Sequence, residues 1–447
     1  MATPLELLTC WGPDWLASGQ GDRLGQLAEQ RWLSLQGRPA QRVLIVHTDA
    51  IAYLADWIAA VSAGWPVILG NPHWRRQEWE AIATQLQPQQ IWGEAPIATS
   101  VGIADPLETG WIGIATGGSS GGLRFAVQTW ERLTAAALAF QRSPLIDGQA
   151  IAGICSLPLH HVSGLMVAVR SLVTGGPLWL LPWSELQSAE CLPTCSEAVL
   201  SLVPTQLQRL LPLRSQWLQQ RLLILLGGAP AWPTLLQQAQ NLQLPIAPCY
   251  GATETAAFIS VLFPQQFLAV SRGVGKPLPG VMIQLNADRT VAIQSPSLAL
   301  GYWQGPGQVE PIIDAQGFWQ SGDRGEWSAD HSLILLGRQG DRILSGGEKI
   351  WPLEVETVLY NSGLVREVCV VGLADPDWGE VVAAAYVPQQ QAVTPEQLKA
   401  AIAPELAPYK HPKQWLNCSA LPRTSQGKLD RTAVRQLFAA RPPLPAL

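Results

Sequence analysis

The chain has 447 residues, too long for one compact core, so it should divide into two or three domains, with two as the working number. Its 29 basic residues against 34 acidic ones leave a net charge of about −5 and a pI near 5.7, which excludes a protein built mainly to grip nucleic acid phosphates and points to small-molecule partners. The longest apolar run extends only from Trp57 to Gly70 and is broken by Gly64-Trp65-Pro66, short of the ~20 residues that cross a bilayer, which excludes stable membrane insertion.

At the N-terminus, Glu6 and Asp14 stand where a secretory signal would have a basic start and an unbroken apolar stretch, so a cytoplasmic location is expected. From Arg42, "RVLIVHTD" predicts a strand, "AIAYLADWIAAVSA" a helix and "PVILGN" another strand: a β-α-β unit, and so a parallel sheet. The stretch Ala115 to Phe125, "ATGGSSGGLRF", follows a further strand. A loop of Gly and Ser can bring many backbone N–H groups to an anion, and phosphate is its natural guest; a tight surface turn is the alternative. It matches neither the Walker pattern nor the spaced glycines of a dinucleotide fold. Short apolar runs then recur at "AIAGICSLPL", "GPLWLLPW", "AVLSLVP" and "RLLILLGG", separated by helix-length segments such as "PTQLQRLLPLRSQWLQQ", which predicts a layered α/β architecture.

After Pro279 the strands alternate around the turn Asn286-Ala287-Asp288, predicting an antiparallel sheet. The Gly- and charge-rich "LLGRQGDRILSGGEKI" marks the domain boundary, giving domains 1–338 and 339–447. The second has strands of its own at "EVCVVGLAD" and "VVAAAYVPQ", a helix at "TPEQLKAAIAP", and a frayed tail at "RPPLPAL". Twenty tryptophans show no period, and the seven cysteines are read as reduced thiols; Cys191 and Cys195 lie close but lack a histidine or second pair to complete a zinc site.

Five motifs decide what the glycine loop holds. "TGGSSGGLR" (Thr116 to Arg124) resembles the Thr-Ser-Gly-Thr-Thr-Gly-x-Pro-Lys phosphate loop of the adenylate-forming superfamily, the acyl-CoA synthetases, luciferases and nonribosomal adenylation domains. "YGATE" (Tyr250 to Glu254), "QSGDRGEW" (Gln320 to Trp327), "GRQGDRILSGGEKIWPLEVE" (Gly337 to Glu356) and "PRTSQGKLDR" (Pro422 to Arg431) resemble its other signatures, in its order and at its spacing. "LPLHHVSGL", "SLVPTQLQRLL" and "LLGGAP" resemble most the branch of o-succinylbenzoate–CoA ligases, of menaquinone and phylloquinone synthesis. The resemblance implies the adenylate-forming α/β fold, a large layered N-terminal domain plus a small mobile α+β C-terminal domain.

It also implies a reaction with ATP, Mg2+ and CoA: a carboxylate attacks the α-phosphorus of ATP, giving acyl-adenylate and pyrophosphate, and the CoA thiol then displaces AMP. By the resemblance, Thr116, Gly117, Gly118, Ser119, Ser120 and Gly121 would wrap the β and γ phosphates. Arg124 takes the place of the family's lysine, and Leu123 that of its proline. Tyr250 would stack on adenine, with Gly251 and Thr253 beside it, and Glu254 would bind Mg2+. Asp323 would accept the ribose hydroxyls, with Arg338 next to it. Lys428 would neutralise the attacking carboxylate and the α-phosphate, and Gly340 stands at the family's hinge. His161, Gly227, Gly228 and Ala229 would line the acyl pocket. Arg170 follows Ser163 by seven residues, so the two can share one helical face with Met166; it would read the second carboxylate of o-succinylbenzoate. The alternatives are a YGATE that is only a helix start with a capping threonine, an Asp323–Arg338 surface ion pair, a solvated Lys428, a buried, hydrogen-bonded histidine without a chemical role, an Arg170 paired with an acid or reaching solvent, an acyl-CoA synthetase for another aryl or fatty acid, and a non-catalytic adenylate-binding relative.

Overall fold

The β-α-β unit forms as read: strand Val43–Val46, helix Ala50–Ser62 and strand Val67–Leu69. The helix starts where the Asp49 carboxylate accepts the Ile51 N–H, one of the donors with no intrahelical partner, and ends before Gly64, whose φ of +72° turns the chain towards the next strand. The computed structural model describes residues 1–117, 123–188, 192–269, 272–390, 393–423 and 429–440. They fall into two compact units, one of Met1–Gly228, Leu242–Gln284 and Ala292–Gln320, the other of Ala229–Asn241, Leu285–Val291 and Ser321–Leu447. This division does not coincide with 338/339.

The first unit holds two seven-stranded sheets. One runs Gln308–Pro311, Gly301–Gly305, Leu123–Gln128, Ile112–Gly117, Val67–Leu69, Val43–Val46, Gln90–Gly93, parallel from Ile112–Gly117 onward and antiparallel before it. The other runs Lys276–Pro277, Ala257–Val261, Ile246–Ala252, Leu223–Leu226, Val199–Leu202, Gly153–Cys155, Leu178–Leu180, parallel from Ile246–Ala252 onward. One apolar cluster joins Val43, Ile45, Val67 and Leu69 of the first sheet to the helices Ala50–Ser62, Trp130–Gln141 and Val162–Thr174, and to Cys155 and Leu178 of the second. Strands covered in this way read as unbroken apolar runs, which is why the sequence shows them so clearly.

Two readings need adjustment. The stretch after Pro279 was expected to form one antiparallel sheet, but its last strand, Gly301–Gly305, instead joins the first seven-stranded sheet, with Tyr302 opposite Ala126. "PTQLQRLLPLRSQWLQQ" forms helix Pro204–Gln219, but with a kink at Arg214 (φ −138°, ψ 17°) after Pro212, whose ring cannot continue the hydrogen-bond ladder.

In the second unit, Asn286 and Arg289 close the expected turn: Asn286 N–H donates to Thr290 O and Arg289 N–H to Asn286 O. A five-stranded sheet runs Glu348–Ile350, Ile343–Ser345, Gly379–Pro388, Val365–Asp375, with Gln414–Asn417 also on Gly379–Pro388. Val368, Val370, Val382 and Tyr386 pack on one face with helices Pro352–Asn361 and Pro395–Ile402. Cys369, Val371, Ala383 and Leu416 pack on the other with helix Arg431–Ala439. No helix among the described residues is long and apolar enough to cross a membrane, and the six described cysteines are free. Cys191 and the tail 441–447 lie outside the described residues.

Candidate active site

The glycine loop is the connection of an antiparallel hairpin, with Thr116 opposite Arg124 and Gly117 opposite Leu123. Gly118, Ser119, Ser120 and Gly121 lie outside the described residues. Leu123 packs on the cluster of Phe125, Trp74 and Trp303. The Arg124 guanidinium lies over the Tyr302 ring, 4.2 Å from its centroid, and its buried Nε has no hydrogen-bond partner among the described residues.

The YGATE motif leaves strand Ile246–Ala252 through a 3-10 turn, Thr253–Thr255. Tyr250 is buried. Gly251 is required by close approach, because a Cβ there would lie 1.9 Å from Ala257 O. Beyond the turn, Ala256 and Ala257 have φ of +54° and +75°, a region alanine rarely enters and which costs about 1–3 kcal/mol per residue. The surroundings enforce it. Thr255 Oγ1 accepts from Ala252 N–H and donates to Ala257 O; Gln128 Nε2 donates to Thr253 O, Ala299 N–H to Glu254 O and Ser297 Oγ to Thr255 O. The turn thereby fixes the backbone of Glu254, whose buried carboxylate accepts a 2.7 Å hydrogen bond from Tyr302 Oη. Among the described residues no three His, Cys, Asp or Glu side chains converge on a metal position. A single buried carboxylate suits Mg2+, which keeps most of its shell as water and phosphate oxygens, and does not suit a cation that needs a full protein cage.

His161 immediately precedes helix Val162–Thr174, and its ring centroid lies 4.3 Å from that of His160. Burial, then His161 and His73, hold the His160 imidazole down to about 3, so it is neutral across the physiological range. Met166 and Arg170 are buried on this helix and Ser163 is half-buried at its start. Arg170 neither reaches solvent nor pairs with an acid: it is 3 % exposed and has no carboxylate partner among the described residues. It lies 4.9 Å from the ring of Phe258 and 5.8 Å from that of Phe140, with a marginal 3.5 Å contact to Ser201 Oγ. Burial lowers its pKa only to about 10, so it stays charged. Burial also pushes the Cys155 thiol up to about 11 and the Cys249 thiol up to about 12, so neither supplies a counter-charge at neutral pH. Gly227 and Gly228 follow strand Leu223–Leu226. A Cβ at Gly227 would meet Cys249 Sγ at 2.8 Å, and Gly228 has φ +82°.

The other candidates belong to the second unit. Ala229 begins its first segment and is exposed. Asp323 and Arg338 face each other across a hairpin and form a 2.9 Å ion pair, with the arginine side chain half exposed. Gly340 is exposed in the turn Gln339–Asp341, and its neighbour Asp341 lies 3.5 Å from Arg431. Lys428 lies outside the described residues, but the chain on both sides is fastened: Arg423 bridges Leu429 and pairs with Glu367, Asp430 N–H donates to Pro422 O, and Arg431 grips both Glu356 oxygens. Sequence reasoning missed Tyr302, Gln128, Ser201 and the Phe140–Phe258 pair. "GYW" was visible only as a strand, and nothing in the spacing placed it beside Glu254.

Two family models match the chain: AMP-binding enzyme over residues 114–303 and AMP-binding enzyme C-terminal domain over 354–428. A 2-succinylbenzoate–CoA ligase of Listeria monocytogenes is 30% identical over 325 residues, 72% of this chain and 68% of the relative. Its counterpart in Enterococcus faecalis is 31% identical over 343 residues, 73% and 70% of the two chains. Among solved structures, wild-type E. coli MenE with a bound m phenylether-linked analogue of OSB-AMS is 27% identical, with a TM-score of 0.72 over 94% of this chain and 92% of that one. The fold is therefore that of the adenylate-forming enzymes, and the chain belongs to the AMP-binding enzyme family, in which it is most similar to the 2-succinylbenzoate–CoA ligases.

Proposed function

We propose that this chain ligates o-succinylbenzoate to coenzyme A in two half-reactions, in menaquinone or phylloquinone synthesis. In the first, a carboxylate oxygen attacks the α-phosphorus of ATP, and the bond to the β-phosphate breaks to release pyrophosphate. In the second, the CoA sulfur attacks the acyl carbon and AMP leaves. The observation that carries this acid is Arg170, a buried cation without a protein anion among the described residues. Burying a charge alone is costly, and a substrate carboxylate in its place would offset that cost. O-succinylbenzoate has a second carboxylate that stays charged while the first reacts; a plain benzoate has none.

The other roles follow the residue chemistry. Thr116, Gly117, Gly118, Ser119, Ser120 and Gly121 hold the phosphates, with Arg124 adding charge. Tyr250 stacks on adenine, Gly251 and Thr253 line the nucleotide, Asp323 accepts from the ribose and Arg338 holds Asp323. Glu254 holds Mg2+, which when bound supplies positive charge to the phosphate oxygens. Lys428 steadies the attacking carboxylate and the α-phosphate, and His161, Gly227, Gly228 and Ala229 shape the acyl pocket. The domains 1–338 and 339–447 pivot at Gly340 between the half-reactions, and the enzyme works in the cytoplasm. The test is a panel of acids given to the purified protein with MgATP and CoA, with AMP and acyl-CoA quantified. O-succinylbenzoate should be turned over far faster than benzoate or fatty acids. Preference for a monocarboxylate contradicts the acid assignment, and no AMP from any acid contradicts catalysis.

A further inference from the structure

Tyr302 touches two residues that the motifs assign to separate tasks. Its hydroxyl donates to Glu254 Oε1 at 2.7 Å, and the face of its ring lies beneath the Arg124 guanidinium. The strand register produces this: Tyr302 sits opposite Ala126, so Arg124, two residues along on the same face, is its diagonal neighbour, and the small Ala126 leaves room for ring and guanidinium to overlap. We propose that Tyr302 is a positioning residue that orients the metal-ligating carboxylate of Glu254 and the phosphate-directed guanidinium of Arg124 while keeping the two from neutralising each other. This rests on the adenylation reading above.

Three physical points support it. No ion pair joins Arg124 to Glu254 among the described residues, although both flank one ring; a direct pair would use up the carboxylate and the cation, whereas the interposed phenol keeps each available to ligand. The phenol occupies Oε1, which leaves Oε2 as the oxygen offered to a metal, in keeping with the strict geometry Mg2+ demands. A phenol that donates to a carboxylate also gains electron density on its ring, which strengthens its hold on the guanidinium, so the two contacts reinforce each other.

Binding of ATP to the full chain without acid separates this role from a structural one. Calorimetric titrations with MgATP, and with ATP in EDTA, would be run on the wild type, Tyr302→Phe, Tyr302→Leu, Glu254→Gln and the Tyr302→Phe/Glu254→Gln double variant. Tyr302→Phe keeps the ring and should weaken MgATP about tenfold, the low end for losing an outer hydrogen bond to a metal ligand, while metal-free ATP binding changes by less than about twofold. Tyr302→Leu removes the ring too and should also weaken metal-free ATP, by about three- to tenfold. The double variant should bind MgATP about as Glu254→Gln does, because the hydroxyl acts through that carboxylate. MgATP binding in Tyr302→Phe equal to wild type, or equal losses with and without metal, overturns the role of Tyr302. A wild type with no preference for MgATP over metal-free ATP overturns the adenylation reading itself, and this inference with it.

Discussion

If Arg170 reads the acid as proposed, it is a functional residue that is a liability in the free protein. It is buried beside Phe140 and Phe258, and the Cys155 and Cys249 thiols that act on it stay protonated, so the cost of desolvating its charge is offset only in part within the described fold. Arg170→Met, which fills much of the same space without charge, should therefore raise stability by about 1–3 kcal/mol while removing affinity for the acid. The urea midpoint measures this, and a destabilised Arg170→Met would mean that the guanidinium holds the fold together. His160 gives a residue-scale prediction in pH. Its folded pKa is depressed to about 3, against about 6.5 unfolded, so below 6.5 the unfolded chain takes up a proton that the folded chain refuses. Its contribution is complete above pH 6.5 and shrinks as pH falls towards 3. Urea midpoints should fall between pH 6.5 and 5, and His160→Phe should flatten that interval; an unchanged slope would assign it to other groups.

At the scale of elements, the proposed site draws on chain segments that are held from outside. The Glu254 turn is pinned by Gln128, Ser297 and Ala299, and the ends of the Lys428 segment by Arg423, Asp430 and Arg431. By the role proposed for it, Lys428→Ala should block adenylate formation yet spare thioester formation from supplied acyl-adenylate. Equal loss of both steps would contradict that division of labour. Gly340 sits exposed beside Asp341, which lies 3.5 Å from Arg431, and the proposed function makes it the pivot. Gly340→Pro fixes φ near −65° and should slow CoA transfer much more than pyrophosphate exchange. If both slow together, Gly340 serves the fold and not a pivot. The strands were legible because covered sheets leave unbroken apolar runs, as at Val43–Val46 and Leu223–Leu226. The partner of Gly301–Gly305 was not, because pairing between positions so far apart leaves no local pattern, and with it went the means of seeing Tyr302 beside Glu254.

For the molecule as a whole, the motifs gave the family and the order of the machinery, since five short signatures in register are hard to meet by chance, and the AMP-binding matches over 114–303 and 354–428 agree with them. What the motifs could not give was environment. Nothing in "MVAVRSLV" says whether Arg170 finds an acid or open water; that depends on Ser201, Cys249 and Phe258, which come from three different strands. The central claim, that this enzyme selects its acid through a buried cation reading a second carboxylate, is tested most directly by one kinetic comparison. The KM for o-succinylbenzoate and for ATP would be measured in the wild type and in Arg170→Gln, with native folding confirmed. Losing a charge-assisted contact of about 1.5–3 kcal/mol should raise the acid KM roughly ten- to a hundredfold and leave the ATP KM nearly unchanged. An unchanged acid KM in the folded variant would contradict the claim.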